Sequence, residues 1–298
     1  TKELNSETRL LRKWEKYVSY SLRESQILFN NYNFLKPVAN LENIWGKQEK
    51  LIAIVPNFID NNKDEPIAAI TGTLAQAYAY SGNYEGAIEY FEISKSFTIK
   101  SFAQTDFYLF SVYHLQQNIE KAYLYFEKQT GKTPEEYVKC RKLDKNWELL
   151  SYCKLRALEL YKNKTTHLPT IDLKNLQNNY SEYPFPLIQK WTGIALYLEN
   201  AEINRQIIEI NFTEAINSLL NDDNGFTIKT LALPIIQCFA VVNKKNQFHA
   251  EYNKLVADLK RQSSCFCKYI DNNAVLLSSI KNDADIWTRA ISLPFIYS

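Results

Sequence analysis

The chain has no methionine and only seven glycines, nine prolines and three histidines in 298 residues. At average usage about six methionines would be expected. So little glycine and proline leaves few obligatory turns and argues against a turn-rich β architecture. An excess of one charge is also missing: 35 Lys and Arg stand against 33 Asp and Glu, for a net charge of +2, and the charges are scattered rather than massed. No basic stripe for nucleic acid and no polybasic membrane patch is present, so neither partner is expected. Long hydrophobic runs are absent too. The longest, from Leu231 to Val242, is interrupted by Pro234 and Gln237 and is too short to span a bilayer. The five cysteines, Cys140, Cys153, Cys238, Cys265 and Cys267, are odd in number and fall mostly inside apolar helical patterns. That suits a reducing compartment better than a disulfide frame, and cytoplasm is the expected location. Thr1 is not an initiator and no signal-like apolar segment follows it, so the true start is expected upstream and secretion stays open.

The signals of catalysis are missing as well. His114, His167 and His249 stand apart from one another and from carboxylates at helical ligand spacing, so none is nominated as a general base. Cys265-Phe-Cys267 has one intervening residue, which matches neither zinc nor dithiol spacing, and no second pair or nearby histidine completes a tetrahedral set. There is no Gly-flanked serine elbow, phosphate-cradling loop or dinucleotide fingerprint. We therefore expect no catalytic residues, no metal and no cofactor. The sequons at Asn163, Asn179 and Asn211 are what chance supplies in so Asn-rich a chain.

What is present is apolar material in helical order. Hydrophobic residues make up 46% of the chain and aromatics 14%, enough for a sizeable core. Almost every long window places apolar residues at i, i+3, i+4 and i+7, which reads as all-α. Leu11, Trp14, Val18, Leu22 and Leu28 with Phe29 form the stripe of a long first helix starting near Ser6 or Thr8. A second helix runs through Ile44, Leu51, Ile54, Val55 and Phe58, and Asp60 to Pro66 reads as a linker, with Pro66 suited to the first turn of the next helix.

Residues 74–92 and 109–127 then say nearly the same thing twice. Leu74/Leu109, Tyr78/Tyr113, Asn83/Asn118, Glu85/Glu120, Ala87/Ala122, Tyr90/Tyr125, Phe91/Phe126 and Glu92/Glu127 pair at a constant offset of 35 residues. That period is the mark of stacked helical hairpins, each too small to bury its own apolar face. Ala87 and Ala122 would lie where two helix axes approach closely, with Phe91 and Phe126 filling the space beside them. The pattern Leu74, Ala75, Tyr78, Gly82, Tyr84, Ala87, Phe91, repeated as Leu109, Phe110, Tyr113, Gln117, Ile119, Ala122, Phe126, resembles the tetratricopeptide repeat. The second copy departs from it at Phe110 and Gln117.

Beyond these units the repeat decays. Thr133-Pro134-Glu135-Glu136 is a capped helix start, and Trp147, Leu150, Leu155 and Leu158 continue as a helix. Residues 163–186 read as a long connection, with a short helix over Leu173–Leu176. Helices are then expected over Trp191–Leu198, Ile203–Ile210, Thr213–Leu220, Thr230–Val242, Phe248–Lys260, Ala274–Ile280 and Ala284–Ile291. The expected architecture is an α-solenoid of stacked antiparallel hairpins with degenerate helical repeats at both ends. It divides into an N-terminal helical segment over 1–62, tetratricopeptide-like repeats over 66–162 and degenerate repeats over 187–298.

The resemblance implies a concave groove lined by the first helix of each hairpin, at Gly72, Gln76, Ala79 and Tyr80, then Phe107, Ser111, His114 and Leu115. Of these, Gln76, Tyr80, Phe107, Ser111 and His114 are the expected partner contacts. The family members that clamp a peptide's terminal carboxylate do so with Lys and Asn at such positions, and this chain has neither there. The expected function is a protein- or peptide-binding scaffold without catalysis of its own. The alternatives are a sensor or regulatory module of a larger bacterial regulator or defence protein and, further off, a secreted glycan-binding helical-repeat protein. Exposed Trp45, Trp147 and Trp287 gathered in one cleft would favour glycan binding, and a buried titratable pair in a closed pocket would favour an enzyme.

Overall fold

The computed structural model describes residues 2–30, 35–54, 65–97, 103–139, 146–173, 184–221, 223–243, 247–262 and 285–291. Among these are fourteen α-helices and no strand. They fall into two compact units, Thr1–Thr105 and Asp106–Ser298. The reading of the chain as all-α holds.

In the first unit α1 (Lys2–Asn30), α2 (Leu35–Ile54), α3 (Glu65–Tyr80) and α4 (Tyr84–Ser96) pack on one another. α1 begins earlier than expected. Its apolar stripe delivers Trp14 and Val18 to a core completed by Leu41, Ile44, Ile70 and Leu74. Trp45 sits edge-on to Tyr90 and Phe97 at the margin of this core. The polar side chains buried here are short and are satisfied within or beside their own helix: Ser25 donates to the Ser21 carbonyl at 2.8 Å, and Ser94 crosses from α4 to the Ala68 carbonyl of α3 at 2.9 Å. The linker expected over 60–66 lies mostly outside the described residues.

The second unit opens with α5 (Ala103–Leu115), whose first three residues precede the division, and continues through α6 (Ile119–Thr130), α7 (Pro134–Val138), α8 (Asn146–Asn163), α9 (Phe185–Asn200), α10 (Arg205–Leu220), α11 (Phe226–Thr230), α12 (Ala232–Val242), α13 (His249–Gln262) and α14 (Ile286–Ala290). Along the chain α6 packs on α8, α8 on α9, α9 on α10 and α10 on α12, and α12 also meets α13 and α14. Three of these helices are enclosed on every side over most of their length: 149–160 of α8, 185–196 of α9 and 232–240 of α12. α9 and α10 approach so closely that a Cβ built on Gly193 would stand 2.6 Å from Phe212 Cε1. No side chain fits there without moving the ring.

The 35-residue repeat reappears as a repeated turn. Between α3 and α4, Ser81 N–H donates to the Ala77 carbonyl, Gly82 to Ala79 and Asn83 to Tyr78; between α5 and α6, Gln116 donates to Val112, Gln117 to His114 and Asn118 to Tyr113. Each turn reverses through one left-handed residue, Gly82 at φ 83° and Gln117 at φ 56°. Each following helix is capped by an asparagine. Asn83 Oδ1 accepts from Gly86 N–H at 3.0 Å and Asn118 Oδ1 from Lys121 N–H at 3.1 Å, satisfying an amide that the helix leaves without an internal partner. Tyr78 stacks on Tyr90 with centroids 5.5 Å apart, and Tyr113 on Tyr125 at 5.4 Å. Leu74, Ala87 and Phe91 are fully buried, as are Leu109, Ala122 and Phe126. The first hairpin lies in the first unit and the second in the second.

Other local expectations meet mixed outcomes. Thr133 and Glu136 form the capping box at the start of α7, with both reciprocal hydrogen bonds in place. Ile203–Ile210 and Thr213–Leu220, expected as separate helices, join into the single α10, because Asn211-Phe212 contains no breaker and both residues face inward. Conversely, the helix expected over Thr230–Val242 is cut at Leu231, and Pro234 falls in the first turn of α12, where its missing N–H costs nothing. Of the final expected pair, Ala274–Ile280 lies outside the described residues, and only Ile286–Ala290 is described as a helix.

Candidate functional site

The five expected groove residues divide between the two units. On α3, Gln76 is half-buried and Tyr80 is buried. On α5, Phe107, Ser111 and His114 lie three and four residues apart, so they share one helix face, and all three are buried. That face is a wall of an interior cluster in the second unit.

The other walls of the cluster come from α8, α9 and α14. His114 meets Trp191 edge-on with centroids 4.8 Å apart and Trp287 at 4.9 Å, and the two indoles are 5.3 Å from each other. Tyr161 stacks on the far side of Trp287 at 4.7 Å. Lys154 Nζ lies 5.9 Å from the Trp191 ring and 6.0 Å from the Phe107 ring, and Lys190 Nζ is 4.9 Å from the Trp191 ring. Two ammonium groups against one indole system have the geometry of a cation–π pair, here in an enclosed setting.

Hydrogen-bond supply is uneven across this interior. On α8, Ser151 donates to Gln129 Oε1 at 2.9 Å, Arg156 donates to the Leu168 carbonyl at 2.9 Å and to Glu199 at 2.7 Å, and Glu159 accepts from Tyr123 at 2.6 Å. On α9, Gln189 donates to Glu214 at 2.8 Å and Lys190 to the Ala290 carbonyl at 2.7 Å. Next to it, Arg289 is hydrogen-bonded to Gln237 on α12. Within the cluster, Ser111 Oγ, both ring nitrogens of His114, Lys154 Nζ and the indole nitrogens of Trp191 and Trp287 are buried without a hydrogen-bond partner. Lysine and tryptophan can only donate, so what these atoms lack is an acceptor.

Electrostatics agree with the geometry. Burial pushes the Lys154 ammonium well below its ordinary range, and the charge of Lys190 adds to the effect; no carboxylate is among the groups acting on it. Burial also brings Lys190 down to about 8. His114 is held well below its usual value by burial first and then by Lys154 and Lys190, with a contact to the Lys154 backbone acting the other way. The imidazole is therefore neutral. On the far side of Lys190, Cys238 is a free, buried thiol raised to about 12 by burial.

Of the three tryptophans named as possible glycan platforms, only Trp147 is exposed. Trp45 belongs to the first unit's core margin. Trp147 is exposed at the start of α8, edge-on to Phe107 at 5.0 Å, and Trp287 is fully enclosed. His167 is on the surface, paired with Glu135 and 3.7 Å from Glu159, and His249 is exposed beside Asn253. Cys265 and Cys267 lie outside the described residues. Among the described residues no cluster of His, Cys, Asp and Glu could hold a metal ion, and no helix is long and apolar enough to cross a membrane.

One surface feature was not anticipated. Ile203, in the turn before α10, and Ile207 and Ile210 on its first turns are 80%, 48% and 37% exposed, while Ile208 between them is fully buried. Ile207 and Ile210, three residues apart, share one face of α10, and Ile203 stands just ahead of it in the turn. From the sequence a helix is expected over Ile203–Ile210 and no more, and periodicity alone cannot tell a stripe covered by the chain from one left bare.

No family model, curated protein or solved structure matches the chain.

Proposed function

We propose that this protein is a recognition scaffold built from tetratricopeptide-like helical hairpins, which binds a protein or peptide rather than transforming a substrate. The observation that carries the reading is the bare isoleucine stripe Ile203, Ile207, Ile210. Three branched aliphatic side chains in water along one helix face and the turn before it are a cost to a monomer and an anchor row for an apolar partner segment, commonly read by a partner helix at matching spacing. The repeated hairpins support the same reading, because this architecture presents surfaces instead of closing around chemistry. Contact is assigned to the exposed α10 face, since Phe107, Ser111 and His114 are enclosed.

The test is affinity capture from lysate with quantitative mass spectrometry, comparing the full chain with an Ile203→Ser, Ile207→Ser, Ile210→Ser variant. Replacing exposed isoleucines changes stability little, so far-UV circular dichroism and the melting temperature should match the parent. Partners captured by the parent and lost with the triple variant support the proposal. Identical capture profiles from two equally folded proteins overturn it.

A further inference from the structure

We propose that the second unit encloses a binding site for a small oxyanion, phosphate or carboxylate, held by Lys154, Ser111, His114 and the indole N–H groups of Trp191 and Trp287. This inference is independent of the docking surface above. Four helices bring these groups together: α5 supplies Ser111 and His114, α8 supplies Lys154, α9 supplies Trp191 and α14 supplies Trp287. The His114, Trp191 and Trp287 rings lie within 5.3 Å of one another, and Lys154 Nζ stands 5.9 Å from the Trp191 ring. Every one of the five side chains carries a buried polar atom with no hydrogen-bond partner.

Buried polar atoms are nearly always paired, because an unmade bond leaves the whole desolvation cost in place. Five such side chains in one interior, three of them able only to donate, define a deficit of acceptors rather than a random packing fault. The same interior satisfies its neighbours Ser151, Arg156, Gln189 and Lys190. A compact oxyanion answers this deficit. It supplies several lone pairs in a small volume, and its charge supplies the counterion that no carboxylate provides to Lys154. The surrounding rings of Phe107, Trp191 and Trp287 exclude water and strengthen each charge-assisted bond. A bulky ligand does not suit rings already at contact distance, so the oxyanion itself, or one reaching in from a slender carrier, is the class that fits.

Binding such an anion would favour the charged form of Lys154, which burial disfavours in its absence. Anion binding should therefore be coupled to proton uptake, a signature that ions collecting on surface lysines would not give. The experiment uses the full chain and titrates sodium phosphate, sodium sulfate and sodium acetate against sodium chloride at equal ionic strength. Thermal unfolding and isothermal calorimetry are followed, the latter in two buffers of different ionisation enthalpy. The expected result is saturable stabilisation by at least one oxyanion beyond chloride, with a buffer-dependent heat reporting proton uptake. Phosphate and sulfate acting where acetate does not identifies a phosphate-type group; acetate acting alone identifies a carboxylate. Lys154→Met should weaken binding at least tenfold and abolish the proton uptake, and Trp191→Phe, which removes one N–H together with part of the ring, should weaken it several-fold in a protein whose circular dichroism shows it folded. Lys162→Met, at the exposed end of the same helix, should leave it unchanged. The proposal is overturned if all three oxyanions act as chloride does, or if folded Lys154→Met and Trp191→Phe proteins bind as the parent does.

Discussion

Replacing Lys190 by methionine should make the protein more stable at neutral pH and less stable at high pH. The Lys190 ammonium is enclosed between α9 and α14, and its titration is brought from 10.5 down to about 8. At ~1.4 kcal/mol for each tenfold change in proton affinity, that displacement is worth roughly 3 kcal/mol of preference for the unfolded chain whenever the amine is charged. Below pH 8 the group is protonated in both states and the whole penalty is present. Between pH 8 and 10.5 the unfolded chain holds the proton and the folded one does not, so stability rises with pH. Above 10.5 the penalty is gone. Methionine removes the charge, keeps the length and forfeits the 2.7 Å hydrogen bond to the Ala290 carbonyl, a loss of ~1 kcal/mol that does not depend on pH. The variant should therefore gain ~2 kcal/mol at about pH 7 and lose ~1 kcal/mol near pH 10.5.

The parent's own pH curve would hide this, because its thiols act in the opposite sense. Burial raises Cys153 to about 11 and Cys238 to about 12, so from pH 9 upward the unfolded thiols ionise while the folded ones hold their protons, and stability falls. The difference between variant and parent cancels most of this. What does not cancel works in the same direction. Without the Lys190 charge Lys154 is less strongly opposed when protonated, and Cys238 loses a neighbour that favoured its thiolate. Arg289 and Asp285, which also face Cys238, are common to both proteins. The assay is urea unfolding across this pH range at fixed ionic strength, followed by tryptophan fluorescence and by circular dichroism. A flat difference, or a variant less stable than the parent at neutral pH, refutes the burial of a charged amine at this position.

Two further outcomes test the hairpins. Gln117→Gly should raise the melting temperature, because Gln117 holds a left-handed backbone at φ 56° that costs a residue with a side chain about 1 kcal/mol, whereas Gly82 holds the same place in the first turn without strain; a lower melting temperature would reject the assigned turn. Ala87→Arg or Ala122→Arg should each cost several kcal/mol, since both methyl groups are fully enclosed and an uncompensated charge would be forced into their place; an unchanged melting temperature by differential scanning calorimetry would reject that packing.

The parts of this fold that were legible in the sequence are those set by neighbours in the chain. Thr133 with Glu136 was read as a reciprocal box, and the 35-residue repeat paired Asn83 with Asn118, which prove to be helix caps; each is a hydrogen-bond arrangement completed within about four residues, so its signal survives in a short window. Gln117, read as a departure from the repeat, proves to hold the reversing position of Gly82. The interior cluster was not legible for the opposite reason. His114 read as isolated because Trp191 and Trp287, its contacts, lie far along the chain. Lys154 and Arg156 drew no reading, since the helix was recognised from Trp147, Leu150, Leu155 and Leu158 alone. Nothing in that pattern states that α8 is covered on both sides. The same blindness acted in reverse on Ile203, Ile207 and Ile210, which have the spacing of a core stripe and face water instead.

The two units also treat polarity differently, and the contrast bears on where specificity resides. The first unit's core buries short hydroxyl side chains such as Ser25 and Ser94, satisfied locally, with the Trp14 indole nitrogen the one buried side-chain polar atom without a partner among its described residues. The second unit places Lys154, Lys190 and Arg289 in its interior, where well-packed hydrophobic residues of similar volume would be no less stable and commonly more so. Departures from the rule that interiors are apolar or fully paired concentrate at functional sites. Lys190 finds the Ala290 carbonyl, whereas Lys154 on α8 is left without a hydrogen-bond partner, so Lys154 marks the place where a ligand's charge would decide binding.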